Sequence, residues 1–388
     1  MSVFTVYFCG TSATQFDNNH ANYWNGELIA TLAANTQDRE FAHWIIVDGP
    51  GSGNLQADTL TVESQDHPYA GTAFGKGWET NVRHALNMIK GKFEWQREKL
   101  TEARYQALKA AGIPIRDVTV KGSFWARVYD YGDSKVTPQQ LQQQIVNQFR
   151  AGGKIPTQVN LVGWSRGGIS CHMLANAMLN DPALRHIPVN ILAVDPVPGP
   201  LNFQPERVQL GSNVREYVGF YARDERTKGF ACVIPKTAAQ TRIGIYPLPG
   251  RHATLVGNAA INGDSGPKIV PEPGLIVRHL AETCLQRWGV TLDKQLGLDA
   301  DAIKRAHQAM HERDDIYANM RNYSYITLPG GIPVTESQNN ERAVSHGDTW
   351  AAFSSLAGRP FNPAVGLSAP VAPVQGMYRE LLAPAAGG

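Results

Sequence analysis

Val159-Asn160-Leu161-Val162-Gly163-Trp164-Ser165-Arg166-Gly167-Gly168-Ile169 is the stretch whose reading decides the fold. Its first four residues are an apolar run that reads as a buried strand. Ile169, Met173, Leu174, Ala177 and Met178 then recur at helical spacing. Between strand and helix stands G-x-S-x-G. In that context the motif forms a sharp turn that lifts a serine hydroxyl above the edge of a sheet. Gly163 and Gly167 let neighbouring backbone pass without a Cβ clash. Gly168 eases packing of the helix start on the strand. The plainer alternative is a strand-to-helix turn whose glycines serve geometry alone.

Outward from this stretch, strand and helix signals alternate. Val3 to Phe8 reads as a first strand, Glu27 to Ala34 as a helix, and Phe41 to Val47 as a second strand ending in Asp48-Gly49-Pro50-Gly51-Ser52-Gly53. Val82, Ala85, Leu86 and Ile89 fall at helical spacing, and Phe93 to Ala111 reads as a further helix, either a packed addition or a cover over a site. Thr137-Pro138 has the N-cap and first-turn residues of a helix start. Val189 to Val194, Val214 to Tyr221 and Ile243 to Tyr246 read as later strands. This rhythm predicts an α/β fold, α/β-hydrolase-like, with a mostly parallel sheet, helices on both faces and helical additions. Two parts are expected: residues 1–270 as the core, with a helical insertion at about 77–112, and residues 271–388 as an extension packed on it. Gly274 to Trp288 and Ala300 to Met310 read as helices, Tyr323 to Gly366 as irregular, and Ala369 to Gly388 as a loose tail.

The 388 residues are 43% hydrophobic and 18% charged, with a formal net charge of +2. That supports a large core and leaves no basic stripe of the kind a nucleic-acid binder needs. Cys9, Cys171, Cys232 and Cys284 are far apart, with neither zinc-ligand nor disulfide-framework spacing. No cofactor is expected. The N-terminal stretch lacks the basic start and long apolar run of a signal peptide, so synthesis in the cytoplasm without a signal peptide is expected.

A serine hydroxyl needs a base and the base an orienting acid, in the chain order Ser, Asp or Glu, His for sheet hydrolases. Asp195, closing the next strand in Val194-Asp195-Pro196, is the preferred acid. Asp224, flanked by Arg223, Glu225 and Arg226, is the alternative and looks more like part of an ion-pair network. Five of the eleven histidines follow Asp195. His252, in Pro249-Gly250-Arg251-His252 just past a strand, is the preferred base, and His346, in a late loop, is the alternative or a pocket residue. An oxyanion would be met by the backbone N–H of Arg166 and by one from the loop Gly10-Thr11-Ser12. The loop Gly49 to Gly53 lacks a Gly-Lys-Ser/Thr ending and reads as a site wall.

Together these segments resemble one family. Phe8-Cys9-Gly10-Thr11 with Asp17-Asn18-Asn19 is similar to its first strand and Gly-Thr loop. Gly49-Pro50-Gly51 with Gly71-Thr72-Ala73-Phe74-Gly75-Lys76-Gly77 resembles its glycine-rich segment. Gly163-Trp164-Ser165-Arg166-Gly167, Asp195-Pro196-Val197, Asp224-Glu225-Arg226 and Pro249-Gly250-Arg251-His252 match its serine, acid, Asp-Glu-Arg and Pro-Gly-x-His elements. The family is the type VI secretion phospholipase effectors with an α/β-hydrolase catalytic domain, and the resemblance runs over roughly residues 3 to 260. It departs at Cys9, where the family usually has an aspartate.

The resemblance implies a lipolytic serine esterase, a phospholipase A that releases fatty acid from membrane phospholipid, with Ser165 as nucleophile, Asp195 as acid and His252 as base. It also implies export by a specialised system, action at a target-cell membrane, and an immunity protein and secretion spike component as partners. A serine esterase, thioesterase or peptidase acting on a soluble substrate is the alternative, because fold and triad do not fix the substrate. A protein that keeps the fold and binds without catalysis is the third reading.

Overall fold

A computed structural model of the chain describes residues 2–38, 40, 42–50, 78–91, 119–121, 128–130, 155–335, 342–346 and 349–352. The expected helices at Phe93 to Ala111 and from Thr137, the glycine-rich stretch from Gly51 to Gly77 and the tail Ala369 to Gly388 lie outside those residues.

In chain order the strands are β1 (Val3–Phe8), β2 (Trp44–Val47), β3 (Thr119–Lys121), β4 (Val128–Asp130), β5 (Gln158–Trp164), β6 (Val189–Val194), β7 (Val214–Ala222), β8 (Cys232–Ile234), β9 (Arg242–Leu248), β10 (Thr327–Leu328), β11 (Ile332–Pro333), β12 (Ala343–His346) and β13 (Thr349–Ala352). The helices are α1 (Leu28–Ala34), α2 (Trp78–Lys90), α3 (Arg166–Asn180), α4 (Pro205–Val208), α5 (Glu272–Arg287), α6 (Ala300–Glu312) and α7 (Asp314–Asn319). Among the described residues, six strands form the main sheet in the order β2-β1-β5-β6-β7-β9, and every neighbouring pair is parallel.

The alternation of side chains along each strand explains the layers. Phe4, Val6 and Phe8 of β1, Val159 and Leu161 of β5, and Ile191 and Ala193 of β6 join one core cluster, with Trp78 and Val82 of α2 and Ile169 and Leu174 of α3. Tyr7, Val162, Leu192, Val194 and Phe220 face the other way, into a second cluster with Leu28 and Leu32 of α1 and Ile276, Val277 and Leu280 of α5. Helices thus cover both faces, as the sequence predicts for an α/β fold. Each fully buried Val, Leu, Ile or Phe in these clusters contributes about 1.5–3 kcal/mol.

The winding direction reverses between β1 and β5. The chain moves from β1 to β2 on one side, then returns to β5 on the other and proceeds outward. Such a reversal opens a crevice at the carboxyl ends of the two strands, where ligands bind in open parallel sheets. Ser165 directly follows β5 at this crevice.

The region from Tyr323 onward differs from the irregular segment expected. It carries β10 to β13, and β12 pairs in parallel with β8 and antiparallel with β13. β10 and β11 have only two residues each, and β12 and β13 lie in a Gly-, Ser- and Asn-rich stretch without a long apolar run, so none of them stands out in the sequence. β8 was likewise not expected, although all three of its residues are buried. Among the described residues, no helix is long and apolar enough to cross a membrane.

Candidate active site

The glycine motif works by close backbone approach. A Cβ on Gly163 would lie 2.3 Å from the Gly167 carbonyl oxygen, and one on Gly167 would lie 2.2 Å from that of Phe8. The first turn of α3 is therefore seated directly on β5 and β1. This seating forces Ser165 into φ 58°, ψ −126°, a conformation that costs a non-glycine residue about 1–3 kcal/mol. Its surroundings hold it there. The Ser165 N–H donates to the Val194 carbonyl at 3.0 Å, and its own carbonyl accepts from Val197 at 3.2 Å and Ile169 at 3.3 Å.

Asp195 follows β6, also at positive φ (39°), and its side chain is completely buried. Oδ1 accepts the Ala222 N–H at 3.0 Å. Oδ2 accepts two donors, His252 Nδ1 at 2.6 Å and Arg342 Nη2 at 2.9 Å. Burial alone would raise the carboxyl pKa, but the Arg342 guanidinium and the His252 N–H outweigh it and hold the group below the usual carboxylate range. An ionised carboxylate only accepts, so Nδ1 of His252 is the donor and Nε2 is the basic nitrogen.

His252 lies in the loop after β9 and is only 4% exposed. Its ring packs against Trp164 (centroids 5.1 Å apart) and edge-on to Phe230 (5.2 Å). Its backbone N–H donates to Glu225 Oε2 at 3.2 Å, and the next N–H, of Ala253, donates to the Tyr325 hydroxyl at 3.1 Å. Ser165 and His252 line one cavity of about 790 Å³, together with Thr11, Arg166, Phe230 and Tyr325.

The remaining candidates divide. Asp224 accepts Arg223 Nε at 2.9 Å, Arg321 Nε at 2.8 Å and the Gly250 N–H at 2.9 Å. It ties the His252 loop to β7 and to the later helices, and it does not line the cavity. His346 sits at the end of β12, with Nδ1 at 3.2 Å from the Ile234 carbonyl, and is also absent from the cavity lining. The structure therefore brings together Ser165, His252 and Asp195, and does not join Asp224 or His346 to them.

Thr11 and Arg166 line the cavity, whereas Gly10 does not. Gly10 instead makes room for Trp164, whose Cε3 would lie 2.3 Å from an added Cβ. Arg166 Nη1 donates to Thr11 Oγ1 at 3.1 Å, and burial pushes the guanidinium down to about 10. At the departure from the family pattern, Cys9 is buried in the second core cluster. Two carboxylates serve the adjacent loop: Asp48 Oδ1 accepts the Gln15 N–H at 2.8 Å and Asp17 Oδ2 the Thr14 N–H at 2.7 Å.

Arg342, Glu225 as a support of His252, and Tyr325 were not found from sequence. Arg342 and Tyr325 come from the region read as irregular, and no motif marks them.

No protein-family model matches the chain, and no curated protein matches it. Among solved structures, an uncharacterized protein from Pseudomonas aeruginosa aligns at 12% identity with a TM-score of 0.36, over 82% of this chain and 60% of that one. The Tle1 effector bound to the VgrG spike from the Type 6 secretion system aligns at 12% identity with a TM-score of 0.29, over 66% of this chain and 50% of that one. The chain thus spans 60% and 50% of the lengths of these two structures, and both are distant likenesses.

Proposed function

We propose that the chain is a serine ester hydrolase of α/β-hydrolase type, and that its substrate is an acyl ester of a membrane phospholipid. The observation that carries the chemistry is the shared cavity. Ser165, strained at the switch point of the sheet, lines it together with a histidine whose other nitrogen is bonded to a buried carboxylate. In this reading Ser165 Oγ attacks the acyl carbonyl while His252 Nε2 takes its proton. The imidazolium then returns that proton to the leaving alkoxide. Water, activated by the same nitrogen, releases the fatty acid and restores the serine. Asp195 orients the ring and stabilises its charged form. The backbone N–H groups of Arg166, at the start of α3, and of Thr11 meet the oxyanion, each worth about 10²–10³ in rate.

The lipid assignment rests on apolar surface and on the sequence resemblance. Val197, Phe230, Tyr325 and Ile326 supply apolar wall to the cavity. Ile326 is 45% exposed, and Leu201, next to the lining residue Pro200, is 92% exposed. An exposed apolar side chain on the cavity wall, as Ile326 is, suits an acyl substrate. The resemblance to type VI phospholipase effectors adds export, action at a target-cell membrane, and a spike component and an immunity protein as partners.

Fatty-acid release from phospholipid vesicles, compared between wild type and Ser165→Ala, tests the proposal. The expected result is release by wild type and a loss of about 10³-fold or more in the variant. Hydrolysis of soluble esters with none of vesicle lipid would move the substrate to the soluble class. Equal release by both proteins would remove Ser165 from the chemistry.

A further inference from the structure

The Asp195–His252 pair carries a third partner that a serine hydrolase of the kind proposed above does not require. Arg342 Nη2 lies 2.9 Å from Asp195 Oδ2, the same oxygen that takes the His252 Nδ1 hydrogen at 2.6 Å. All three groups are buried, Arg342 to 1% exposure. Arg342 stands at the entrance to β12, and β12 is held in register on β8 by Val344 opposite Cys232 and His346 opposite Ile234. The guanidinium is thus delivered by the C-terminal region to a pair formed by β6 and the loop after β9.

We propose that Arg342 is a positioning residue: its guanidinium keeps Asp195 an ionised acceptor for the His252 Nδ1 hydrogen, and its removal makes proton uptake by the pair easier. The inference rests on the assignment of Ser165, His252 and Asp195 given above. Its physical content is a charge count. With Arg342 present, the trio is neutral when the imidazole is neutral and carries +1 when the imidazole is protonated. Without it, those charges are −1 and 0, and proton uptake by His252 becomes easier. Arg342 also opposes protonation of the buried Asp195. An ionised Oδ2 keeps the Nδ1 hydrogen on the acid side and Nε2 free.

Other charged groups face the trio. Glu225 and Arg226 come from the loop after β7, Cys232 from β8, and Arg251 precedes His252. Tyr217 and Tyr221 of β7 act on Asp195, and Tyr325 packs on the His252 ring. Arg166, Asp17, His20, Tyr23, Lys228 and Asp264 line the cavity that His252 faces. Cys232, which shares a hydrogen bond with Arg342, and Glu225 and Arg226, which feel its charge, all lose that interaction in the variant, so Cys232→Ser is measured alongside to separate the thiol's share from that of Arg342.

The test uses the full chain with Arg342→Gln, which keeps a neutral donor, and Arg342→Lys, which keeps a charge. Two readouts are taken: the titration of the His252 imidazole by NMR, and the acid limb of kcat/KM on a soluble p-nitrophenyl ester. In Arg342→Gln both are expected to move up by about one to two pH units. In Arg342→Lys both are expected to stay near wild type. A role confined to holding the structure would lower the rate at every pH and leave the limb where it was. An unmoved or lowered His252 titration in folded Arg342→Gln would overturn the proposal. If that variant does not fold, an upward shift in folded Arg342→Lys would overturn it. Labelling of wild type by a fluorophosphonate separates the two levels. A His252 shift with no label on Ser165 keeps the Arg342 coupling and removes the hydrolase reading.

Discussion

Two residues of the proposed triad share strained backbone, Ser165 at φ 58° and Asp195 at φ 39°. Conformations of this kind persist only where the surroundings over-determine them, and they concentrate at functional sites. Gly167 is the residue that most directly enforces the strain at Ser165. A methyl group there would meet backbone on β1 at 2.2 Å from the Phe8 oxygen and 2.6 Å from the Cys9 oxygen. Gly167→Ala is therefore expected to cost at least about 1–3 kcal/mol in urea unfolding, as overpacking does, and to lower esterase rate beyond the loss of folded protein. An unchanged midpoint with full activity would show that α3 can shift without disturbing the serine. The motif around Ser165 was legible because all of its parts are local in the chain. Arg342 was not legible. It sits in the polar run Asn339-Asn340-Glu341-Arg342, which reads as surface, yet it is buried against a carboxylate 147 positions away. Nothing local encodes that contact.

At the scale of elements, α1 shows how a buried charge can be tolerated for the sake of a cap. Glu27 Oε2 accepts the Ala30 N–H at 2.8 Å and closes the helix start, while Oε1 has no hydrogen-bond partner. Burial, with Asp17 adding to it, raises the carboxyl from its ordinary 4.5 to about 7. The folded chain therefore holds this proton more tightly than the unfolded chain does, and ionising Glu27 costs stability as pH rises from about 4.5 through 7. Glu27→Gln keeps an acceptor for Ala30 and has no charge to bury. It should exceed wild type in stability by about 3 kcal/mol at pH 8 and match it at pH 4. Urea unfolding at the two pH values checks this, and an equal difference at both would contradict it. Among the elements, β1, β6 and β7 were legible from largely apolar runs of six to eight residues, and β5 from the four-residue run Val159 to Val162 before the glycine motif. β8 and β12, with three and four residues, were not, because their identity lies in pairing between distant segments. The position of His346 at the end of a paired strand follows from the same register.

At the scale of the molecule, the parallel sheet gathers chemistry from segments that are far apart in sequence. Ser165 follows β5, Asp195 follows β6 and His252 lies in the loop after β9, all at the carboxyl edge beside the β1–β5 switch point. This much could be read in advance, because a rhythm of strands fixes which loops share an edge. A further share of the site's support comes from the region after residue 320. Arg321 holds Asp224, Tyr325 holds the backbone beside His252, and Arg342 holds Asp195. Those contributions depend on a chain path that no periodicity announces. The central claim is that Ser165 is a nucleophile made reactive by His252. The direct measurement is mass-spectrometric mapping of a fluorophosphonate adduct on wild type and on His252→Ala. The account predicts an adduct on Ser165 in wild type and its loss in the variant. No adduct on Ser165, or equal labelling of both proteins, would contradict it.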